Sequence, residues 1–244
     1  MQRSRGAVLF LAVLAAGCGG GGERQAAGGP LSVFAASSLT EVFSKLDPSA
    51  RFNFAGSDDL ALQIREGAPA DVCAAASAKL PDQLHEEGLV EQPRVFATNR
   101  LVLIVPRANP AGIASVFDLA KPNVKLVIGA AGVPVGDYTR IVISRLEVEK
   151  ILGNVVSNED NVKGVASKVA LGEADAGFVY ATDATPLGDK VRVIEIPPDA
   201  QPPIRYEIAV VSASKRREAA QAFVDRVLGP DGRAALEQAG FGLP

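Results

Sequence analysis

The sequence predicts an α/β protein with mainly parallel sheets. Three observations indicate this class: short β-rich runs recur along the chain, helix-like stretches lie between them, and 244 residues suffice for a large core. The strand candidates are residues 31–35, 51–54, 71–73, 101–105, 125–128, 177–180, 191–196 and 208–211.

The composition excludes several classes of function. The chain has one His, two Cys, no Trp and a formal charge of −3. His85, Cys18 and Cys73 cannot form a transition-metal cluster of ordinary ligands, and two cysteines make no disulfide framework. The mildly acidic chain also lacks the basic footprint that nucleic-acid binding needs. Function must therefore come from uncharged or acidic groups, or from the backbone, and no cofactor is expected.

The first element, residues 1–17, has the pattern of a signal peptide. Two arginines precede an apolar stretch, 7–16, that is too short to span a bilayer. Small residues directly before Cys18 resemble the bacterial lipoprotein processing site, although Leu14 stands one place earlier than in that pattern. We expect Cys18 to be lipidated; ordinary secretory cleavage is the alternative.

Residues 18–30 are rich in Gly and Ala and predict a flexible tether. An acylated Cys18 with such a tether would hold an extracytoplasmic domain at a membrane surface. The rest of the chain contains no apolar run long enough to cross a membrane.

Two strand-to-helix junctions follow the tether. Strand 31–35 leads past Ser38 into a predicted helix at 41–46, and strand 51–54 leads past Ser57 into a predicted helix at 60–66. Free N–H groups and the helix dipole make such junctions suitable for anions. Ser38 also has capping-box spacing to Glu41, so a plain N-cap is the alternative.

Two further junctions lie in the second half of the chain. Strand 125–128 opens into a Gly-rich turn, 129–137, which lacks both the P-loop Lys and the dinucleotide spacing. Residues 158–161 offer capping groups ahead of an amphipathic helix that begins at Val162. A last amphipathic helix, 220–228, is stopped by Gly229 and Pro230. Because every α/β protein has capped helices, no single junction identifies a ligand.

Several segments of the chain form an ordered set of motifs: 34–40, 54–57, 63–72, 133–136, 159–162, 172–180 and 240–241. The most specific of them contain Gly-Ala-Pro-Ala-Asp at 67–71 and Gly-Glu-Ala-Asp-Ala-Gly at 172–177. Taken in order, these segments resemble the periplasmic molybdate-binding proteins of ABC transporters, and the resemblance covers residues 31–244.

This resemblance implies a two-lobed periplasmic-binding-protein fold, with each lobe a mainly parallel sheet flanked by helices. Two crossover hinge strands, 101–105 and 206–211, would join the lobes. Lobe 1 would comprise 31–103 and 207–244, and lobe 2 would comprise 104–206. The ligand would lie in the cleft, on which the lobes close as a hinge.

The resemblance also implies the site. Ser38 and Ser57 would bind the anion through hydroxyl and backbone N–H groups, Val135 and Val162 through backbone N–H groups, and Tyr180 through its hydroxyl. These neutral donors suit a tetrahedral dianion, molybdate or tungstate, because N–H dipoles supply the compensating partial charge. The implied protein is a monomer that delivers its ligand to an ABC transporter permease.

One departure from the family lies beside the site, where Asp58 and Asp59 follow Ser57. A carboxylate near a bound dianion would repel it. We expect both side chains to point to solvent and to favour the start of the helix.

Two alternatives remain at this point. The same fold could bind sulfate, thiosulfate or phosphate, because hydroxyl and amide donors do not distinguish one central atom of an oxyanion from another.

The second alternative is an enzyme, which would need catalytic groups. The motifs Gly-x-Ser-x-Gly and His-Glu-x-x-His are absent from the sequence, and a turn between a helix and a strand accounts for Glu173 and Asp175. A thiol dyad of Cys73 with His85 is the one enzymatic arrangement left, and no other feature supports it.

Overall fold

The computed structural model describes residues 29–244, which are organised around two five-stranded sheets. The predicted signal peptide, Cys18 and most of the predicted tether lie outside the described residues. With strands numbered in chain order, the first sheet runs β2 (Arg51–Ala55), β1 (Ser32–Ala36), β3 (Val72–Ala75), β10 (Ile204–Val210), β4 (Arg94–Asn99). The second runs β7 (Val155–Glu159), β6 (Leu126–Gly129), β8 (Ala176–Tyr180), β5 (Leu101–Pro106), β9 (Val191–Glu195).

Helices flank both sheets. Within the described residues the α-helices are α1 (Thr40–Leu46), α2 (Ser57–Arg65), α3 (Lys79–Glu86), α4 (Pro134–Arg145), α5 (Val162–Ala170), α6 (Ala181–Ala184), α7 (Arg217–Leu228) and α8 (Pro230–Gln238). A 3-10 turn, Ser37–Leu39, precedes α1. Gly229 ends α7 as predicted, but Pro230 then begins α8, because proline is well suited to the first position of a helix.

In each sheet four of the five strands run in one direction, as expected for a mainly parallel sheet, and two of the four pairings are parallel. β1 pairs in parallel with β2 and β3, and β6 pairs in parallel with β7 and β8. One strand in each sheet runs against both of its neighbours: β10 between β3 and β4, and β5 between β8 and β9. The α/β class and the paired-sheet architecture are thus confirmed.

All eight predicted strands are present, with ends shifted by at most four residues, but β4 and β7 were not predicted. Both are edge strands. Residues along β7 alternate between half-buried and exposed, so the strand carries Ser, Asn and Glu instead of a continuous apolar run. An edge strand shares only part of its surface with the core, which weakens its signal in the sequence.

The chain passes between the sheets twice, and we call the two halves the first and second lobes after their sheets. The first passage is at Arg100, between β4 and β5, and the return lies at 196–203, between β9 and β10. The predicted lobe boundaries, 103/104 and 206/207, fall inside β5 and β10, and each of these strands pairs within a single sheet. The sheets therefore change at the ends of these strands.

Strands covered on both faces form the core. Every residue of β1, β3, β6 and β8 is buried, as expected for parallel strands with helices on either side. Since carboxyl ends of parallel strands share one edge of a sheet, β1, β2 and β3 end at one edge and β6, β7 and β8 at another. A cleft outside such edges is where open α/β sheets bind ligands.

The described chain begins at the opposite, amino end of β1. Arg216 donates to the backbone carbonyl oxygens of Gly29, at 2.8 Å, and Pro30. The same guanidinium bonds Asp71 at 2.7 Å, and Asp71 in turn accepts the backbone N–H of Ser32 at 2.7 Å. The last two residues of the predicted tether are therefore fastened to the first lobe.

Candidate functional site

One small cavity between the lobes is lined by all five residues predicted for the site. Ser38 and Ser57 belong to the first lobe, and Val135, Val162 and Tyr180 to the second. All of them follow or end parallel strands, at the edges where the two sheets face each other. The structure thus brings together residues that are widely separated in sequence; their role in binding stays a prediction.

Ser38 lies in the 3-10 turn between β1 and α1 and is buried. Its Oγ lies 2.9 Å from Tyr206 Oη. The alternative in which Ser38 and Glu41 form a capping box is wrong, because the residue before α1 is Leu39 and no side chain caps the helix. The Ser38 hydroxyl is therefore available to the cavity and to Tyr206.

Tyr206 places Ser38 at the end of a chain of hydrogen bonds. Asn99 Nδ2 donates to Thr182 Oγ1 at 2.9 Å and, more weakly, to Tyr206 Oη at 3.4 Å. Either hydroxyl of the Ser38–Tyr206 pair can be the donor. When Tyr206 donates its proton to Ser38 Oγ, the proton of Ser38 is free to be donated into the cavity.

Ser57 is the first residue of α2, which has no side-chain cap. Its Oγ accepts a hydrogen bond from the backbone N–H of Ala76 at 3.1 Å, so the Ser57 proton is also free. Ala76 lines the cavity and was not predicted. It follows β3, whose carboxyl end shares an edge with β1 and β2, and that position in the sheet is the signal that could have identified it.

Glycines allow α4 to begin directly against the end of β6. The first intrahelical bond runs from Asp137 N–H to Val133 O, so the N–H of Val135 has no intrahelical partner. An added Cβ on Gly136 would fall inside contact distance of the carbonyl oxygens of Gly129 and Ala130. The Gly-rich turn thus brings the amino end of the helix to the cavity.

Asn161 caps α5, as predicted. Its side chain accepts the backbone N–H of Gly164 at 3.2 Å. The cap satisfies the third N–H of the helix and leaves that of Val162, which lines the cavity, without an intrahelical partner.

Tyr180 ends β8 and is 1% exposed, yet its hydroxyl has no hydrogen-bond partner within residues 29–244. Burial raises its pKa well above the usual value, and the neighbouring Tyr206, whose ring lies 5.9 Å away, acts in the same direction. The hydroxyl is therefore a neutral donor. A buried polar group without a partner costs free energy, and a ligand that accepts its proton would recover that cost.

All described residues that line the cavity are uncharged. Asp59 is exposed as predicted, but the prediction that Asp58 points to solvent is wrong, because its Oδ1 is buried and without a partner among the described residues. Burial raises the pKa of Asp58, although the backbone N–H groups of Asp58 and Asp59 oppose the shift. The carboxylate thus lies against the start of α2 and outside the cavity lining.

Cys73 and His85 have structural roles in the described chain. Cys73 is buried in an apolar cluster with Phe34 and Leu60, and burial raises its pKa to about 12, which disfavours the reactive thiolate. His85 Nδ1 lies 3.1 Å from the carbonyl oxygen of Val90. Residues 29–244 contain no group of three or more His, Cys, Asp or Glu placed to hold a metal, and no helix there could span a bilayer.

Comparisons with known proteins agree on one family. Residues 31–242 match the profile of the bacterial extracellular solute-binding proteins. The molybdate-binding protein ModA of Mycobacterium tuberculosis is 35% identical over 97% of both chains. Two solved structures share the fold: the periplasmic molybdate-binding protein of Azotobacter vinelandii, and the sulfate-binding protein SubI of M. tuberculosis.

The two structures differ little in how well they superpose on the chain. The Azotobacter protein has a TM-score of 0.77 at 22% identity and covers 88% of this chain and 99% of its own. SubI has a TM-score of 0.75 at 16% identity and covers 87% of this chain and 86% of its own. At these identities the likeness describes the fold and does not distinguish one anion from another.

Proposed function

Because the chain belongs to the bacterial extracellular solute-binding proteins, we propose that it binds molybdate in the cleft for an ABC importer. It is an extracytoplasmic binding protein and not an enzyme, so the thiol dyad of Cys73 and His85 is rejected. Molybdate is its ligand, and no cofactor is involved. The single observation that carries the proposal is the buried Tyr180 hydroxyl, which has no partner within residues 29–244 and belongs to a residue that lines the same cavity as Ser38 and Ser57.

The proposed complex uses donors from both lobes. Ser38 and Ser57 donate from the first lobe: the N–H of Ala76 leaves the Ser57 proton free, and Tyr206 can donate to Ser38 Oγ and so free the Ser38 proton. Val135 and Val162 donate backbone N–H groups from the starts of α4 and α5, and Tyr180 donates its hydroxyl. Because the amino ends of helices carry partial positive charge, the site can stabilise a dianion without Lys or Arg.

These groups share one property that sets the chemical class of the ligand. Each can act as a donor, and none of the described residues that line the cavity carries a carboxylate to accept a proton. An anion with four unprotonated oxygens satisfies such a site. Hydrogen phosphate carries an O–H that needs an acceptor, and the described lining side chains offer only neutral hydroxyl and amide oxygens, which are weaker acceptors than a carboxylate. We therefore expect molybdate and tungstate to bind well and phosphate poorly.

Three finer points belong to the same proposal. We infer that Cys18 is lipidated and anchors the chain, that the protein is a monomer, and that it delivers its ligand to the permease of the importer. The small residues before Cys18 and the Gly-rich segment after it support the anchor.

A thermal-shift titration with molybdate, tungstate, sulfate and phosphate tests the proposal. Ligand at about a thousand times its dissociation constant stabilises a protein by about 4 kcal/mol. For a chain of this size that raises the midpoint of unfolding by about 8 to 16 °C. Equal small shifts for all four anions would overturn the assignment, and a large shift with sulfate alone would establish the alternative.

A further inference from the structure

Three charged residues join the lobes beside the cavity. Lys163 Nζ, from α5 of the second lobe, lies 2.8 and 3.0 Å from the two carboxylate oxygens of Glu41, in α1 of the first lobe. The same ammonium group lies 3.2 Å from Asp183 Oδ1, in α6 of the second lobe. One cation thus bridges a carboxylate of its own lobe and a carboxylate of the opposite lobe.

The two carboxylates differ in their surroundings. The side chain of Asp183 is fully buried, whereas that of Glu41 is 45% exposed. Lys163 and Asp183 belong to the same lobe, and a nearby cation stabilises a buried carboxylate, so their contact does not depend on how the lobes are arranged. The contact between Lys163 and Glu41 exists only when α1 and α5 approach each other.

Each member of the trio lies close in sequence to a residue of the proposed site. Lys163 directly follows Val162, Glu41 is three residues after Ser38, and Asp183 is three residues after Tyr180. Val162 and Tyr180 would contact the anion from the second lobe and Ser38 from the first. A motion that closes these groups on the anion therefore also moves α5 toward α1, where Lys163 contacts Glu41.

The charges of the trio are set for this contact at neutral pH. Burial alone would lower the pKa of Lys163, but Asp183 and Glu41 raise it, so the amine keeps its proton. Burial raises the pKa of Asp183 to about 6, against the opposing effect of Lys163, and the group is still ionised at pH 7. One cation faces two carboxylates, so Glu41 meets an ammonium group that Asp183 holds in position.

We propose that Lys163 and Glu41 form an ionic latch that holds the lobes closed over the bound anion and slows its release. The latch acts on the closed state alone, and neither side chain lines the anion cavity. Removing it should therefore raise the dissociation rate and leave the association rate nearly unchanged. This inference rests on the proposed anion binding.

The clean test is Glu41→Gln, because it leaves Lys163 paired with the buried Asp183. Protein loaded with radiolabelled molybdate is chased with excess unlabelled molybdate, and the release rate is followed. For a latch that is partly exposed we expect release about fivefold faster, with association changed less than about twofold. Added salt at about 0.5 M should speed release from the unmodified protein and have little effect on Glu41→Gln.

The chain offers a matched control on the same helix. Lys168 Nζ, in α5, lies 2.6 Å from Glu159 Oε1, and both belong to the second lobe. Its side chain is 34% exposed, close to the 31% of Lys163. Lys168→Met removes a comparable ion pair that does not cross the cleft, so its release rate should match that of the unmodified protein.

Lys163→Met removes the other partner of the latch and adds an independent measurement of the release rate. The unfolding midpoint of each variant shows whether it is folded.

The proposal is overturned if Glu41→Gln releases molybdate at the rate of the unmodified protein, or if Lys168→Met accelerates release as much as Glu41→Gln does. Failure of the unmodified protein to bind molybdate would instead overturn the proposed function, so the two failures are distinguishable. Combined loss of Glu41 and Lys163 should accelerate release no more than the larger single effect, because the two residues form one contact.

Discussion

The hydroxyl groups of Ser38 and Tyr206 lie 2.9 Å apart, although the residues are separated by 168 positions in sequence. The bond runs from β10 to the turn after β1 and, when Tyr206 is the donor, leaves the serine proton free for the cavity. Tyr206 does not line the cavity, so we regard it as a positioning residue for Ser38.

Tyr206→Phe should weaken molybdate binding about three- to tenfold, because it removes one neutral hydrogen bond worth about 1 kcal/mol. The fold should survive, since the ring still packs against Phe96 and Phe241. Isothermal titration calorimetry of this variant, of Ser38→Ala and of the double variant provides the check. If Tyr206 acts only through Ser38, the double variant binds no worse than Ser38→Ala; additive losses would contradict this role.

Tyr180→Phe should change affinity and stability in opposite directions. Loss of a hydrogen bond to a charged ligand should weaken molybdate binding about ten- to a hundredfold. Without ligand the variant should be more stable by about 1 kcal/mol, because a buried hydroxyl with no partner is removed. Calorimetry and urea unfolding measure the two effects. Unchanged affinity would show that the hydroxyl does not contact the anion.

Gly56→Ala should oppose closure of the lobes. An added Cβ there would fall inside contact distance of the carbonyl oxygen of Asp160, on the opposite lobe, and of the side-chain oxygen Asp58 Oδ1, on its own lobe. Binding should weaken at least about tenfold, since the clash with the Asp160 backbone arises only in the closed form, whereas the contact with Asp58 is present in both forms. Gly153→Ala is the control, because its added Cβ would meet no atom within 4 Å. Equal affinities for the two variants would argue against steric contact at Gly56.

Glu207 should make stability depend on pH. The side chain is buried, its Oε2 has no partner among the described residues, and burial, with a smaller effect of Asp82, raises its pKa from 4.5 to about 7. The folded state therefore holds a proton between these pH values that the unfolded state releases. The contribution of this bound proton to the free energy of unfolding is fully present below about pH 4.5 and is lost as the pH rises through about 7.

That contribution amounts to as much as about 3 kcal/mol of unfolding free energy. Urea unfolding of the ligand-free protein at pH 5 and pH 8 should show it, with the protein less stable at pH 8. Glu207→Gln should lose the Glu207 part of this dependence, because the neutral amide does not titrate, and should keep the part that comes from Asp183, whose pKa burial raises to about 6. The same dependence in both proteins would exclude Glu207 as its source.

Much of the fold could be predicted because buried parallel strands have a strong sequence signal. β1, β3, β6 and β8 are buried throughout and read as short apolar runs. β4 and β7 gave no such signal, because each lies at an edge and mixes polar with apolar residues. The residues at which β5 and β10 begin and end depend on hydrogen-bonded pairing with segments that are distant in sequence. A local run of apolar residues does not predict that pairing.

The site was predictable where a side chain or a helix start marks it, as at Ser57 and Val162. Ala76 contributes a backbone N–H, and its side chain carries no signal for that role. Tyr206 reaches Ser38 only through the order of strands in the first sheet. Asp58 could not be placed from the sequence, because the burial of its Oδ1 depends on the folded surroundings and not on its position at the start of α2.

The attachment of Arg216 to Gly29 and Pro30 has a mechanical consequence. A pull on the chain from its amino-terminal side would meet this clamp and then β1, which is hydrogen-bonded to β2 on one side and to β3 on the other. Force along a strand held on both sides loads many hydrogen bonds in shear at once. Tension from an anchor at Cys18 would thus be absorbed at the far end of the first lobe, away from the anion cavity.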